Sequence, residues 1–165
     1  MGTQIHLVTG GSGFIGIHIV AKLLETDHTV HATIRSTKHG PKIQPLQDLQ
    51  KKYPGKLNLF DADLLQPGSF AAAMQGCSVV HHVASPFLMA EKIRDGEKEM
   101  VEPALQGTRN VLTCVNNTES VKRVVLTSTG KILHVNVRAF HRLGLGFVLT
   151  RLHSTLSRCH FWGLH

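Results

Sequence analysis

A strand, a glycine turn and the start of a helix follow one another near the N-terminus, and this order constrains the fold more than any other feature of the sequence. Residues 4–9 form a short apolar run, and an amphipathic run begins at Phe14. Between them, Gly10 permits a sharp turn, Gly13 lets a phosphate approach the backbone, and Gly16 lets the helix pack closely. Unpaired amides and the positive helix end then face an anion. The pattern predicts a pyrophosphate site, with an ordinary glycine-rich loop as the alternative.

Strands and helices are predicted to alternate along most of the chain. Apolar or β-branched runs predict strands at residues 29–34, 56–62, 79–84 and 121–127, and helical periodicity predicts helices at residues 14–25, 43–52, 66–75 and 91–117. In the last helix, Val101, Leu105 and Val111 belong to an apolar stripe, and Pro103 is expected to kink the helix or mark its start. This alternation predicts an α/β fold, a Rossmann-type doubly wound parallel sheet with strand order 3-2-1-4-5 and right-handed crossovers.

The positive charge of the chain is concentrated at its C-terminal end. The net charge is +7, all 11 acidic residues lie at or before Glu119, and residues 131–165 hold five Lys or Arg. Residues 1–130 therefore carry 13 basic and 11 acidic groups, a net charge of +2. A nearly neutral body argues against nucleic acid as a partner. We divide the chain into a predicted nucleotide-binding domain, residues 1–130, and a basic tail, residues 131–165.

The sequence indicates neither a membrane segment nor a metal centre. Its apolar runs are shorter than the roughly 20 residues of a membrane span, and it opens directly on a strand without a cleavable leader, so we expect a cytoplasmic protein. Cys77, Cys114 and Cys159 are widely spaced and odd in number, which is typical of free thiols. His81 and His82 are neighbours on a predicted strand and point to opposite faces, which predicts structural roles for both.

Arg35 lies where the second strand is predicted to end. In dinucleotide-binding βαβ units, an acidic residue about 20 residues after the glycines binds the adenosine ribose. A guanidinium at this place pairs with a 2′-phosphate instead, which favours NADP over NAD as the cofactor. Ser36, Lys38 and Lys42 are further candidate donors. The alternative is an ordinary solvated arginine at a strand end.

Four segments resemble one known superfamily. Residues 9–16 resemble the Thr-Gly-x-x-Gly-x-x-Gly fingerprint of the short-chain dehydrogenase/reductases, and Gly-Phe-Ile-Gly is typical of the extended branch. The other three resemble that branch's Val-Phe-His-Val-Ala-x-Pro, Pro-Ala-x-x-Gly-Thr-x-Asn-Val-Leu and Val-Lys-Arg-Val-Val-x-Thr-Ser-Ser segments, and they lie at residues 79–87, 103–112 and 121–129. The resemblance spans residues 4–129 and is greatest to the dihydroflavonol 4-reductase and cinnamoyl-CoA reductase group. It implies NADPH-dependent reduction of a carbonyl.

The same resemblance implies which residues contact the cofactor. The turn binds pyrophosphate, an Asp-Leu pair contacts the adenine, and the backbone after the fourth strand runs beside the ribose and nicotinamide. The candidate cofactor-binding residues are Gly10, Gly13, Phe14, Ile15, Gly16, Arg35, Asp63, Leu64, Val83, Ala84, Ser85 and Thr127. For Asp63, the alternative is that it only caps the next helix.

The resemblance also implies a catalytic group, and that group is incomplete here. Ser128 and Thr129 are the candidate catalytic residues, because Thr129 aligns with the serine that polarises the substrate carbonyl. Their hydroxyls could instead bind backbone at a strand end. The family's proton donor is a tyrosine with a lysine four residues later, but the only tyrosine of this chain is Tyr53, ahead of the third predicted strand. Because an unassisted phenol has a pKa near 10, we expect cofactor binding without turnover.

The basic tail resembles no part of the superfamily. A frame-shifted or mis-spliced end would explain its composition, and a genuine tail with a binding role is the alternative. Residues 143–150 have some strand character and could imitate a sixth strand. We expect a truncated sheet without the substrate domain of full-length relatives, in which a small-molecule carbonyl compound is the partner.

Two functions stay open at this point. The first is the NADP-binding domain of a carbonyl-reducing oxidoreductase, inactive as it stands. The second is a nucleotide-sensing or dimerisation module that pairs with a full-length paralogue through the helix around residues 103–115.

Overall fold

The computed structural model describes residues 2–36, 43–86, 93–128 and 150–151. These residues alternate between strands and helices, as the sequence predicts. The elements in chain order are β1 (Ile5–Thr9), α1 (Phe14–Glu25), β2 (Thr29–Ile34), α2 (Gln44–Lys52), β3 (Leu57–Asp61), α3 (Ala71–Met74), β4 (Val79–His82), a π-helical turn (Glu97–Val101) that continues into α4 (Glu102–Asn116), β5 (Arg123–Ser128) and β6 (Thr150–Arg151).

All paired strands run parallel in one sheet, with the order β3-β2-β1-β4-β5-β6. The predicted order of the first five strands is confirmed. β1 is central, and its last residue, Thr9, lies beside Thr33 of β2 and His82 of β4. The short strand β6 pairs with Thr127 and Ser128. Of the segment with predicted strand character, only residue 150 belongs to the described part of the chain.

Each face of the sheet carries its own apolar core, because neighbouring strand residues point to opposite sides. Leu7 packs with α3 and α4 residues such as Met74 and Val111. The next residue, Val8, packs on the other face with Val20 of α1 and with α2. Burial on both faces explains why the strands read as continuous apolar runs.

Two predicted helices differ from the observed ones. The helix predicted at residues 66–75 is reduced to α3, because Gly68 adopts a φ of 76° and the chain turns there before Ala71. The long helix predicted at residues 91–117 consists of a π-helical turn and α4, and residues 91–92 lie outside the described part. The change of helix type falls just before Pro103, at the start of α4, where its missing amide is tolerated.

The predicted apolar stripe of this helix is only partly correct. Val111 and Val115 are buried against the sheet, but Val101 and Leu105 are 43% and 52% exposed. The buried face of α4 includes Asn110 in their place. No helix among the described residues combines the length and apolar character needed to cross a lipid bilayer.

Candidate functional site

The candidate site lies at the edge of the sheet where the parallel strands end. Gly10 follows β1, Arg35 follows β2, Asp63 comes two residues after β3, and Val83 follows β4. Because β1 lies between β2 and β4, the glycine turn stands where the strand order changes direction. Open α/β sheets bind their ligands at such a position.

The glycine turn is held by short contacts that admit no additional side-chain atom. Gly10 has a φ of 69°. The backbone amide of the next residue, Gly11, donates a hydrogen bond of 2.9 Å to the Thr33 carbonyl of β2. A Cβ at Gly16 would lie 2.2 Å from the Gly10 carbonyl oxygen. Gly16 therefore lets α1 begin directly against the glycine turn. The sequence predicted a different role for Gly16, which was close packing of α1 on the sheet.

The N-terminal end of α1 points its amides out of the turn. Gly13 is the residue before the helix, and the first turn consists of the uncharged residues Phe14, Ile15, Gly16 and Ile17. The first amides of a helix have no carbonyl one turn earlier, and together with the helix dipole they attract an anion. Phe14 is 82% exposed, so this end of the helix opens to solvent. The arrangement can bind a phosphate group.

The loop after β4 lies against the glycine turn. A Cβ at Gly10 would be 3.1 Å from the Ala84 Cα, which is a tight contact, and the positive φ of Gly10 also favours glycine. The amides of Val83 and Ala84 each donate a 3.0 Å hydrogen bond to the Thr9 hydroxyl. Ser85 follows and is exposed. The structure thus brings together the residues that the sequence assigns to pyrophosphate and to nicotinamide.

His82 fixes the orientation of the Thr9 hydroxyl. The Thr9 oxygen accepts the two amides, so its proton is directed to His82 Nδ1 at 2.9 Å, and His82 Nε2 faces the Thr108 hydroxyl at 3.4 Å. This pattern requires the neutral imidazole with its proton on Nε2. Burial supports it, because it lowers the pKa of His82 to about 4. The predicted structural role of His82 agrees with these bonds.

The adenosine side of the candidate site is formed by the ends of β2 and β3. Arg35 is exposed immediately after β2. β2 and β3 stay joined at this edge, because the Ala62 amide donates a 2.9 Å hydrogen bond to the Ile34 carbonyl. Lys38 and Lys42 lie outside the described residues.

Asp63 begins a tight turn and does not cap a long helix. Its carboxylate accepts the Leu65 amide at 2.8 Å, and its carbonyl accepts the Ser69 hydroxyl at 2.7 Å. The Asp63 side chain is exposed, and Leu64 is half-buried. The Leu64 carbonyl accepts a 2.7 Å hydrogen bond from the Asn110 side chain of α4.

β5 ends at Ser128, one of the two candidate catalytic residues. Thr127 is half-buried and pairs with Thr150, and the backbone of Ser128 pairs with Arg151. The Ser128 side chain and all of Thr129 lie outside the described residues. Tyr53, the only tyrosine, ends α2, and the chain turns there into the start of β3, at the opposite edge of the sheet. Tyr53 therefore lies at the opposite end of the strands from the candidate site.

A histidine cluster on the α1 face was not predicted from the sequence. His6 Nδ1 lies 3.0 Å from His81 Nε2, and the His6 ring also contacts that of His28, with centroids 4.6 Å apart. Burial lowers the pKa of both His6 and His81 to about 4. Within the described ranges, no three His, Cys, Asp or Glu side chains are placed to hold a metal ion. Only the alternation of strand faces could have indicated this cluster in advance.

The cysteines that the structure describes are free and buried, as expected. They are Cys77 and Cys114. Burial raises the pKa of the Cys77 thiol to about 12, so the unreactive thiol form persists at neutral pH.

Sequence reasoning also missed Thr108 and Asn110 as part of the site. They lie in the family-like segment of α4, and their side chains reach His82 and the Leu64 carbonyl. The segment itself was noticed, but which distant residue each side chain contacts depends on the packing of α4 on the sheet.

Comparison with known proteins agrees with this geometry. The model of the 3-beta hydroxysteroid dehydrogenase/isomerase family matches residues 7–141. A putative anthocyanidin reductase from Ginkgo biloba is 41% identical over 132 residues, and a bifunctional dihydroflavonol 4-reductase/flavanone 4-reductase from Pyrus communis is 41% identical over 128 residues. Each alignment covers 78% of this chain but only 37% and 36% of the relative.

Solved structures give the same result. Vestitone reductase from alfalfa is 35% identical with a TM-score of 0.59, over 78% of this chain and 37% of its own. The yeast methylglyoxal/isovaleraldehyde reductase Gre2, solved with NADPH, is 32% identical with a TM-score of 0.65, over 76% of this chain and 37% of its own. The chain thus spans less than two fifths of the length of these relatives.

Proposed function

The chain belongs to the 3-beta hydroxysteroid dehydrogenase/isomerase family, within the extended short-chain dehydrogenase/reductases, and from this membership we propose that it is the NADP-binding part of a carbonyl-reducing oxidoreductase. The observation that carries the proposal is the contact between the glycine turn, the open N-terminal end of α1 and the loop at Ala84. A dinucleotide needs these three features side by side, because its pyrophosphate and nicotinamide ribose are neighbours.

The residues present fit such a cofactor. In our proposal, the α1 amides at Phe14, Ile15 and Gly16 hold the pyrophosphate. Gly10 forms the turn that leads to them, and Gly13 keeps the approach to the backbone open. On the adenosine side, Asp63 and the Leu64 backbone contact the adenine. Val83, Ala84, Ser85 and Thr127 line the ribose and nicotinamide.

We assign the preference for NADP to Arg35. Its guanidinium is exposed at the end of β2, where it can pair bidentately with a 2′-phosphate. An acidic residue there would repel that group. The NADPH complex of Gre2, a relative with the same fold, supports NADP as the cofactor.

When bound, NADPH would supply the hydride that reduces a carbonyl. In this chain, the hydroxyls of Ser128 and Thr129 are the groups we propose for polarising a substrate carbonyl. No tyrosine is placed to give the proton, because Tyr53 is the only one and lies at the other edge of the sheet. We therefore propose that residues 1–165 bind the cofactor without turning it over.

Calorimetry or NADPH fluorescence on the full chain tests the proposal. We expect micromolar NADPH binding, weaker NADH binding, and loss of this preference in Arg35→Ala. Lys52→Ala, at an exposed lysine on α2, is the matched control for removing a positive charge. A folded chain that ignores both nucleotides at millimolar concentration would refute the proposal. Oxidation of NADPH by a carbonyl compound such as a dihydroflavonol, in protein freed of contaminating reductases, would refute the inactive assignment.

A second candidate function rests on α4. Leu105 of α4 and Val101, the last residue of the π-helical turn before it, are large apolar side chains, and both are exposed. They favour a non-enzymatic dimerisation or nucleotide-sensing module whose partner is a full-length paralogue of this chain. Co-purification with that paralogue, abolished in Leu105→Glu, would support the module. A monomer that stays alone in the presence of the paralogue at high concentration would exclude it.

A further inference from the structure

A single turn of α4 contacts the two loops on which the proposed cofactor site depends. Gly107 and Asn110 are buried and Thr108 is half-buried, whereas Arg109 between them is exposed. Gly107, Thr108 and Asn110 therefore lie on the packed side of α4. None of them belongs to the candidate cofactor-binding residues.

Asn110 and Gly107 hold the loop after β3. The Asn110 amide donates a 2.7 Å hydrogen bond to the Leu64 carbonyl, and its own oxygen accepts the Gln106 side chain at 2.9 Å. The amide is thus fixed at both ends. A Cβ at Gly107 would lie 3.1 Å from the Leu64 side chain, so Leu64 packs on bare helix backbone. These contacts set the position of the Asp63 turn next to them.

Thr108 holds the loop after β4 through two intermediates. Its hydroxyl faces His82 Nε2 at 3.4 Å, and His82 Nδ1 receives the Thr9 proton at 2.9 Å. The Thr9 oxygen then accepts the amides of Val83 and Ala84. The chain of hydrogen bonds runs from α4 through β4 to the end of β1.

We propose that the turn of α4 at residues 107–110 is the positioning element for both halves of the cofactor site. Asn110 and Gly107 position the adenine-side loop, and Thr108 positions the nicotinamide-side loop. The inference rests on the proposed NADP-binding function. In this proposal, residues outside the candidate cofactor-binding set affect the binding of the two ends of the dinucleotide independently.

Two isosteric variants and two half-ligands test this separation. The variants are Asn110→Asp, which removes the donor to Leu64, and Thr108→Val, which removes the hydroxyl facing His82. The half-ligands are 2′,5′-ADP and reduced nicotinamide mononucleotide. We expect Asn110→Asp to weaken 2′,5′-ADP binding at least roughly tenfold, because the hydrogen bond is lost and a carboxylate then faces the Leu64 carbonyl. The affinity for reduced nicotinamide mononucleotide should change by less than about twofold. Thr108→Val should show the opposite pattern, at roughly three- to fivefold because its bond is longer.

A third variant controls for general effects of changing α4. Arg109→Ala alters the exposed residue of the same turn and should leave both affinities unchanged. Equal weakening of both half-ligands by Asn110→Asp and by Thr108→Val would overturn the proposal, because general destabilisation acts in that way. Unchanged affinities in both variants would overturn it as well.

Amide hydrogen exchange separates failure of this inference from failure of the proposed function. Asn110→Asp should accelerate exchange at Leu65, whose amide bonds to Asp63, and Thr108→Val should accelerate exchange at Val83 and Ala84. If the unaltered chain binds no nucleotide, the NADP proposal fails, and the exchange data still decide whether the turn positions the loops. Uniform acceleration, or none, would refute the positioning role.

Discussion

Glycines have different roles at the two ends of the parallel strands. We call the side of the sheet where the strands end the carboxyl edge, and the side where they begin the amino edge. At the carboxyl edge, a Cβ on Gly16 would lie 2.2 Å from a carbonyl oxygen, and a Cβ on Gly10 would press against Ala84. At the amino edge, Gly55 has a φ of 74°, and a Cβ there would meet no described atom within 4 Å. Gly16 is required by close contact alone and Gly10 by close contact as well as its positive φ, whereas Gly55 is required only by its own backbone angle. Enclosed glycines therefore indicate a constructed site, whereas an open glycine indicates only a turn.

The largest expected effect separates these two kinds of glycine. Gly16→Ala should reduce NADPH affinity at least roughly 100-fold, equivalent to about 3 kcal/mol, because α1 must move away from the turn. Gly55→Ala is the matched control, and it should leave NADPH affinity unchanged while lowering the free energy of unfolding by roughly 1–2 kcal/mol through its positive φ. Calorimetry and urea denaturation give the two quantities. Equal affinity in Gly16→Ala and the parent chain would remove the contrast between the edges.

Thr9→Val should have the next largest effect. The substitution keeps the side-chain shape but deprives the Val83 and Ala84 amides of their acceptor and leaves His82 Nδ1 without a donor. We expect the free energy of unfolding to fall by about 2–3 kcal/mol in urea denaturation, since several buried polar groups lose partners. Thr29→Val, at the start of β2, is the control at the amino edge. A Thr9→Val chain as stable as this control would contradict the proposed network.

Acid should weaken the fold through its buried histidines. The pKa values of His6, His81 and His82 are lowered to about 4, while an unfolded histidine titrates near pH 6.5. Between these values the unfolded chain binds more protons than the folded chain. The free energy of unfolding is therefore highest above pH 6.5 and decreases as the pH falls toward 4. His81→Phe should lower the midpoint of acid unfolding by roughly half a pH unit, measured by circular dichroism. The exposed His18→Gln serves as the control, and equal midpoints in the two variants would refute the role of burial.

The smallest effect is expected at the amino-edge ion pair. Lys56 pairs with Asp27, and this contact holds the pKa of the Asp27 carboxyl below its ordinary value. Because the Asp27 carboxylate is exposed and screened by water, Lys56→Ala should leave the free energy of unfolding nearly unchanged. It should leave NADPH affinity unchanged. A clear decrease in the free energy of unfolding would show that Lys56 stabilises the fold by more than a solvent-screened ion pair.

The sequence predicted the parts of the fold that depend on local patterns. The bounds of α1 and β2, the parallel strand order and the glycine turn follow from periodicity and from glycine spacing. The predictions of a long helix at residues 66–75 and of a buried Leu105 were wrong. A local pattern does not show how a turn or a helix face packs. The predicted roles of Arg35 and Asp63 remain predictions.

Contacts between distant residues were out of reach of the sequence. Asn110 and Leu64 are 46 positions apart, and His6 and His81 are 75 apart, so no spacing rule connects them. Each contact depends on the tertiary arrangement of the strands and helices. The candidate site was therefore predicted as a set of segments, and its internal supports were not.

The central place of β1 has a kinetic consequence. Its partner β4 is made more than 60 residues later, so the glycine turn can meet Ala84 only after most of the described chain has emerged from the ribosome. Pairings of this kind form slowly, since a long loop must close first. During refolding, helix signals should appear before the turn can capture nucleotide, and the ability to bind should arrive last.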